Sequence, residues 1–140
     1  MKEVSFYVPC FNVAGTLAGC LEAVLKQTYP LKDVLVIDDG STDETEAIAL
    51  RYPVKVIKHG RNLGLAATRN TAIKNINTEF IASVDADCLP ESGWLGLLME
   101  KFNSALQAGA GGRLEEKNSS SQFDSWRSAH MKQYWDNPKV

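Results

Sequence analysis

The sequence predicts an α/β protein: a doubly wound, mainly parallel sheet with helices on both faces. Three observations carry that expectation. Short apolar runs of strand length recur at 4–8 ("VSFYV"), 34–38 ("VLVID"), 54–58 ("VKVIK") and 80–84 ("FIASV"). Segments of helical periodicity separate them, and repeated β-α units of this length favour parallel strands joined by crossover helices. "VLVID" is also nearly continuous in its apolar character, as a strand buried on both faces should be.

Each element has its own signal. In "AGTLAGCLEAVLKQ", Leu17, Leu21, Val24 and Leu25 fall at i, i+4, i+7 and i+8, a helical stripe, and Tyr29-Pro30 ends it. After the second strand Gly40 turns the chain, and Ser41 with Glu44 has the spacing of a capping box opening a helix in "DGSTDETEAIAL". "GLAATRNTAIKN" follows the third strand as a third helix. "GWLGLLMEKF", soon after Pro90, is the fourth. "AGAGG" (108–112) is expected as a further short strand and "KNSSS" as a polar loop. "SQFDSWRSAHMKQYW" is expected as a final helix with Phe123, Trp126, His130 and Tyr134 near one face. The domain reading is 1–116 for the sheet domain and 117–140 for the loop and aromatic helix.

Composition narrows the function. The 140 residues are 44% hydrophobic and 23% charged, with net charge −2, ordinary for one globular domain. The chain lacks the basic field that nucleic acid or an anionic membrane would select. No apolar run reaches the roughly 20 residues of a membrane span, and "MKEVSFYV" is not a signal peptide. A cytoplasmic location, free or at the membrane surface, is the expectation. Cys10, Cys20 and Cys88 have no disulfide or zinc spacing and are read as buried or half-buried thiols.

In open α/β sheets ligands bind beyond the carboxyl ends of the strands. That rule selects "PCFN" after the first strand, "DDGSTD" after the second and "DADC" after the fourth. On an extended segment, Asp85 and Asp87 would point the same way. Two like charges side by side call for a cation. A hard divalent ion, Mg²⁺ or Mn²⁺, suits carboxylates shared with substrate phosphates. No G-x-G-x-x-G follows the first strand and no G-K-[ST] P-loop is present, which argues against the dinucleotide and NTPase readings. The glycine-rich basic loop of a nucleotidyltransferase is absent as well.

"VSFYVPCFNVAGTLAGCLEAVLKQTYPLKDVLVIDDGSTDET", "GRNLGLAATRNTAI", "FIASVDADC" and the Gly111-Gly112 pair stand in the order and spacing of family 2 glycosyltransferases, which have the GT-A fold. The resemblance runs from Val4 to Gly112. It implies metal-dependent transfer of a sugar from a nucleotide diphosphate sugar, read as UDP-linked, with inversion at the anomeric carbon. It implies that Pro9 and Phe11 line the base, Phe11 standing where the family often has Tyr; ordinary core is the alternative for Phe11. Asp39 would accept a hydrogen bond from the base, with Asp38 turned elsewhere, although the sequence leaves open which of the two does what. Asp43 reads as a first-turn helix charge. Arg69 would lie near the nucleotide, the alternative being a solvated helix arginine. Asp85 would sit near ribose and metal, and Asp87 would ligate the metal. His59 and His130 are expected in structural or surface roles.

An inverting transferase needs a general base for the acceptor hydroxyl. The resemblance places it downstream, beyond Val140, and Glu115, Glu116 and Asp124 do not stand in its motif. The chain is therefore read as the donor-binding part of a truncated catalytic domain with an unknown acceptor. The alternative is a nucleotide-sugar-binding or interaction module without turnover. Phe123, Trp126, Tyr134 and Trp135 on the final helix would leave an apolar patch, and a homodimer through that helix is expected to cover it.

Overall fold

The central strand of the sheet is β1 (Val4–Cys10), all but one of whose residues are buried. The computed structural model describes residues 2–102 and 107–112. β1 pairs in parallel with β2 (Val34–Asp38) on one side and β4 (Phe80–Ser83) on the other, and β3 (Lys55–Lys58) extends the sheet beyond β2. The strand order is β3-β2-β1-β4. The chain thus winds outward from β1 to β3 and then crosses to the far side of β1, so β1 and β4 form the topological switch point.

Helices cover both faces, as expected for a doubly wound sheet. On one face α1 (Leu17–Leu25) and α2 (Thr45–Ala49) pack over Phe6, Val8, Val34 and Val36. The buried stripe of α1 is Leu17, Cys20, Leu21 and Val24; Leu25 turns outward, so Cys20 completes the apolar face instead. Trp94, at the start of α4 (Trp94–Met99), packs on Phe6 with ring centroids 6.3 Å apart. On the other face α3 (Leu65–Asn75) covers Tyr7, Leu35 and Ile37. The buried residues of α3 are the small Thr68 and Ala72, which let the helix lie close to the strands.

The structure corrects several expectations. β1 runs two residues further than its apolar run, so Pro9 lies in the strand opposite Ile37 rather than in a loop. Phe6 N–H donates to Asp33 C=O and Cys10 C=O accepts from Asp39 N–H, so even positions of β1 bond toward β2. Pro9 therefore faces the β4 side, where pairing has already ended at Tyr7 and Ser83, and its missing N–H costs no ladder bond. The capping box does not form. α2 begins only at Thr45, and the Ser41 hydroxyl accepts a bond from Asn12 N–H instead. Residues 108–112 are exposed and carry no strand. Residues Met1–Glu100 make up one compact unit and Lys101–Val140 a second. The polar loop, the final helix with its aromatic residues and dimer surface, and Glu115, Glu116 and Asp124 lie outside the described residues.

Candidate functional site

In a sheet of this order, ligands are expected beyond the carboxyl ends of β1 and β4, at the switch point. At β1, Phe11 follows the strand in a bend with 45% of its surface exposed, which excludes the core alternative. Asn12 beside it holds a left-handed backbone (φ 53°), a conformation asparagine tolerates better than most residues. Asn12 carries no signal in the sequence, yet it laces two loops together. Its N–H donates to Ser41 Oγ at 2.9 Å, and its Oδ1 accepts from Thr42 N–H at 2.9 Å. Val13 N–H donates to Thr45 Oγ1, and Ala14 N–H donates to Asp43 Oδ2. Asp43 also accepts from Thr45 N–H at 3.0 Å. It caps the first residue of α2 directly, and the bond it accepts from the Thr45 hydroxyl, ahead of the others, holds its carboxyl below the usual range.

β2 ends in two buried carboxylates. Asp38 is fully buried; its Oδ1 accepts from Ser41 N–H at 2.9 Å. Its Oδ2 has no hydrogen-bond partner among the described residues, and Lys58 Nζ stands 3.9 Å away. Asp39, 3% exposed, turns the other way. Oδ1 takes the His59 Nδ1–H at 2.6 Å and the Leu63 N–H at 3.0 Å; Oδ2 shares the Leu63 N–H at 3.1 Å and takes the Gly64 N–H at 2.8 Å. Burial pushes this carboxyl up, but the bonds from His59, Leu63 and Gly64 together outweigh it and hold it below the ordinary 3.8. Gly64 has φ 90° and ψ 161°, backbone that only glycine adopts readily, and that twist caps α3. His59, expected in a structural or surface role, is in the structure the partner of a candidate site residue.

Asp85 and Asp87 sit at the end of β4, but not on extended chain. Cys88 N–H donates to Asp85 C=O at 3.0 Å, closing a turn over Ala86 and Asp87. The strand-alternation argument for their common direction therefore fails, because β4 ends at Ser83. Both carboxylates are exposed. They are hard oxygen donors beside the switch point, a set that fits a divalent cation completed by phosphate oxygens. Among the described residues no group of three or more His, Cys, Asp or Glu gathers as a metal cage. Burial first, then the charges of Asp87 and Asp85, raises the Cys88 thiol. Burial pushes Cys10 and Cys20 up from 9.0 to about 12.

Pro9, Phe11, Asp39, Asp85 and Asp87 thus cluster at the ends of three adjacent strands. Arg69 lies on α3, exposed and without an ion-pair partner among the described residues.

A parallel sheet in the order β3-β2-β1-β4, with polar residues at its strand ends, defines a Rossmann-like α/β class of domain. The chain belongs to glycosyl transferase family 2, which it matches over residues 5–139. It is 36% identical over 99 residues to glycosyltransferase AglE of Haloferax volcanii, a match covering 66% of this chain and 33% of that protein. Among solved structures, S. aureus TarS in complex with UDP-GlcNAc aligns with a TM-score of 0.65 at 30% identity, over 70% of this chain and 30% of that one. Mannosyltransferase PcManGT from Pyrobaculum calidifontis, in complex with GDP-Man and Mn²⁺, aligns with a TM-score of 0.60 at 29% identity, over 64% of this chain and 28% of that one. The chain spans about a third of the length of these relatives. No helix among the described residues is long and apolar enough to cross a membrane.

Proposed function

We propose that this chain binds the nucleoside diphosphate of a sugar donor, UDP-linked, and that the transferase it represents passes the sugar to an acceptor hydroxyl with inversion. The observation that carries the reading is the exposed Asp85–Asp87 turn at the switch point, beyond β4, next to β1 and the exposed Phe11 that follows it. Phe11 offers a ring face to the base and Pro9 a rigid wall beneath it. Arg69 would supply charge toward the diphosphate through its fork of donors. Asp87, with Asp85, would hold a divalent cation, Mn²⁺ or Mg²⁺, which when bound neutralises charge on the leaving diphosphate.

The resemblance turns Asp39 toward the base. A carboxylate offers about four lone-pair directions, and in the structure the His59, Leu63 and Gly64 donors take all of them, Leu63 being shared by both oxygens. A base N–H would have to displace one of these donors. Uracil, with a single ring N–H at its pairing edge, asks for fewer displacements than guanine, which presents an N–H and an amino group side by side. The resemblance puts the general base downstream of Gly111-Gly112, so turnover is proposed for the whole transferase. Donor hydrolysis would separate this reading from its alternative, a donor-binding module without turnover.

Calorimetric titration with UDP, GDP, CDP and ADP in Mn²⁺ tests the donor class. UDP should bind tightest, by about tenfold or more over GDP. Preference for GDP would reverse the base assignment, and failure of all four would remove the nucleotide reading.

A further inference from the structure

The segment that follows Phe11 is held by side chains from another loop. Three successive N–H groups, those of Asn12, Val13 and Ala14, donate to Ser41 Oγ at 2.9 Å, Thr45 Oγ1 at 2.9 Å and Asp43 Oδ2 at 3.0 Å. Asn12 Oδ1 returns the attachment, accepting from the Thr42 N–H at 2.9 Å and from its hydroxyl at 3.4 Å. These partners are themselves fixed. Thr45 is fully buried and its hydroxyl donates onward to Asp43 Oδ1. Ser41 is buried and its N–H donates to Asp38 Oδ1. Phe11 has no such support: nearly half exposed, its ring lacks the close packing on all sides that fixes a core side chain.

The backbone must therefore aim the ring. Cys10 is tied into the sheet, its C=O accepting the Asp39 N–H, and Val13 and Ala14 are tied to Thr45 and Asp43. The link from Phe11 to Asn12 is the joint between these two anchors. At that joint Asn12 has φ 53°, a left-handed conformation that persists in a non-glycine residue only where its surroundings over-determine it. The bonds at its N–H and its Oδ1 lie on either side of this torsion and supply that constraint. Released, residue 12 would return to a commoner φ and swing Phe11 relative to the anchored Val13. We propose that Asn12, gripped by Ser41 and Thr42, is a positioning residue for base recognition: it locks the joint so that the Phe11 ring is presented to the nucleotide base. The proposal rests on the reading of Phe11 as the ring that meets the base. It gives the Ser41-Thr42 step of "DDGSTD" a task in the loop that follows β1.

The test titrates UDP and pyrophosphate separately, each with Mn²⁺, against the full chain and four variants. Phe11→Ala removes the ring and should weaken UDP about tenfold, the scale of one base–aromatic stack. Asn12→Ala keeps the ring but removes its brace, and should weaken UDP about fivefold. Pyrophosphate should change less than about twofold in both, since only UDP carries a base. The pair Phe11→Ala, Asn12→Ala should bind UDP within about twofold of Phe11→Ala alone, because a brace has no effect once the ring it holds is gone. Ser41→Ala removes only the acceptor of the Asn12 N–H and should weaken UDP about threefold; it decides the matter if Asn12→Ala fails to fold. Fully additive losses in the pair, or equal losses for UDP and pyrophosphate, would mark a merely structural role and overturn the proposal. So would wild-type UDP affinity in folded Asn12→Ala, or in Ser41→Ala where that variant decides. Wild-type UDP affinity in Phe11→Ala would instead sink the reading of Phe11, and this proposal with it, whereas a wild-type chain that binds no UDP removes the nucleotide reading itself.

Discussion

Gly40→Ala is expected to be among the most damaging single substitutions in the chain, costing about 2–5 kcal/mol of stability. Gly40 has φ +75°, and a Cβ there would lie 2.5 Å from the Arg61 carbonyl carbon and 2.8 Å from its Cα. Both neighbours are backbone and cannot swing aside. The left-handed conformation contributes about 1–3 kcal/mol for a non-glycine residue, and overpacking adds about as much. Against a typical total of about 5–15 kcal/mol, that loss threatens folding itself. The segment around Arg61 runs straight into Leu63 and Gly64, so a displaced Arg61 also pulls the donors away from Asp39. Gly60→Ala is the control: a Cβ there meets nothing within 4 Å, and its effect should stay within about 0.5 kcal/mol. Urea unfolding of both variants checks the contrast, and equal midpoints would refute the close approach.

Asp39→Ala is expected to rank beside it. The substitution strands three donors, those of His59, Leu63 and Gly64. A buried donor left without a partner costs about 1–3 kcal/mol. Relaxation of the exposed Leu63 end toward water should keep the total near about 2–4 kcal/mol. Asp39→Asn should be milder in base recognition, because an amide oxygen still accepts. It still sets an NH₂ group against one of the three donors. The pH dependence has a definite sign. The Asp39 carboxyl is held below its ordinary value in the folded chain, so its contribution is complete above about pH 4 and is lost as the pH falls through the folded-state value. Stability measured down a pH series should therefore fall more steeply in the wild type than in Asp39→Ala, and parallel curves would contradict the network.

Much of the fold is legible in the sequence because its signals are local. Four apolar runs, each followed by a helical stripe, mark every strand and helix of the sheet to within a few residues. The capping box misleads because Ser41 and Glu44 have the right spacing, but Asn12 claims the serine hydroxyl across 29 residues of chain. Sequence spacing cannot reveal such a competitor. The two aspartate pairs also behave opposite to their surroundings in sequence. Asp85 and Asp87, ending an apolar run, stand exposed on a turn because β4 lies at the sheet's edge. Asp38 and Asp39, written like an ordinary turn, are the buried ones. Burial follows position in the sheet order, and β2 lies inside. His59 is legible as a residue but not as a partner, since its contacts to Asp39 and Thr71 exist only once β2, β3 and α3 are assembled.

The functional reading stands on Asp85 and Asp87 presenting a divalent cation to a nucleoside diphosphate at the switch point. Its sharpest test is thermal unfolding of wild type and Asp87→Asn, with UDP in the presence and absence of Mn²⁺. UDP at ten times its dissociation constant adds about 1.4 kcal/mol, a rise of a few degrees for a domain of this size. Mn²⁺ should enlarge this rise in the wild type and not in Asp87→Asn, while the unliganded proteins melt together because Asp87 is exposed. An equal gain from Mn²⁺ in both proteins would show that the cation sits elsewhere.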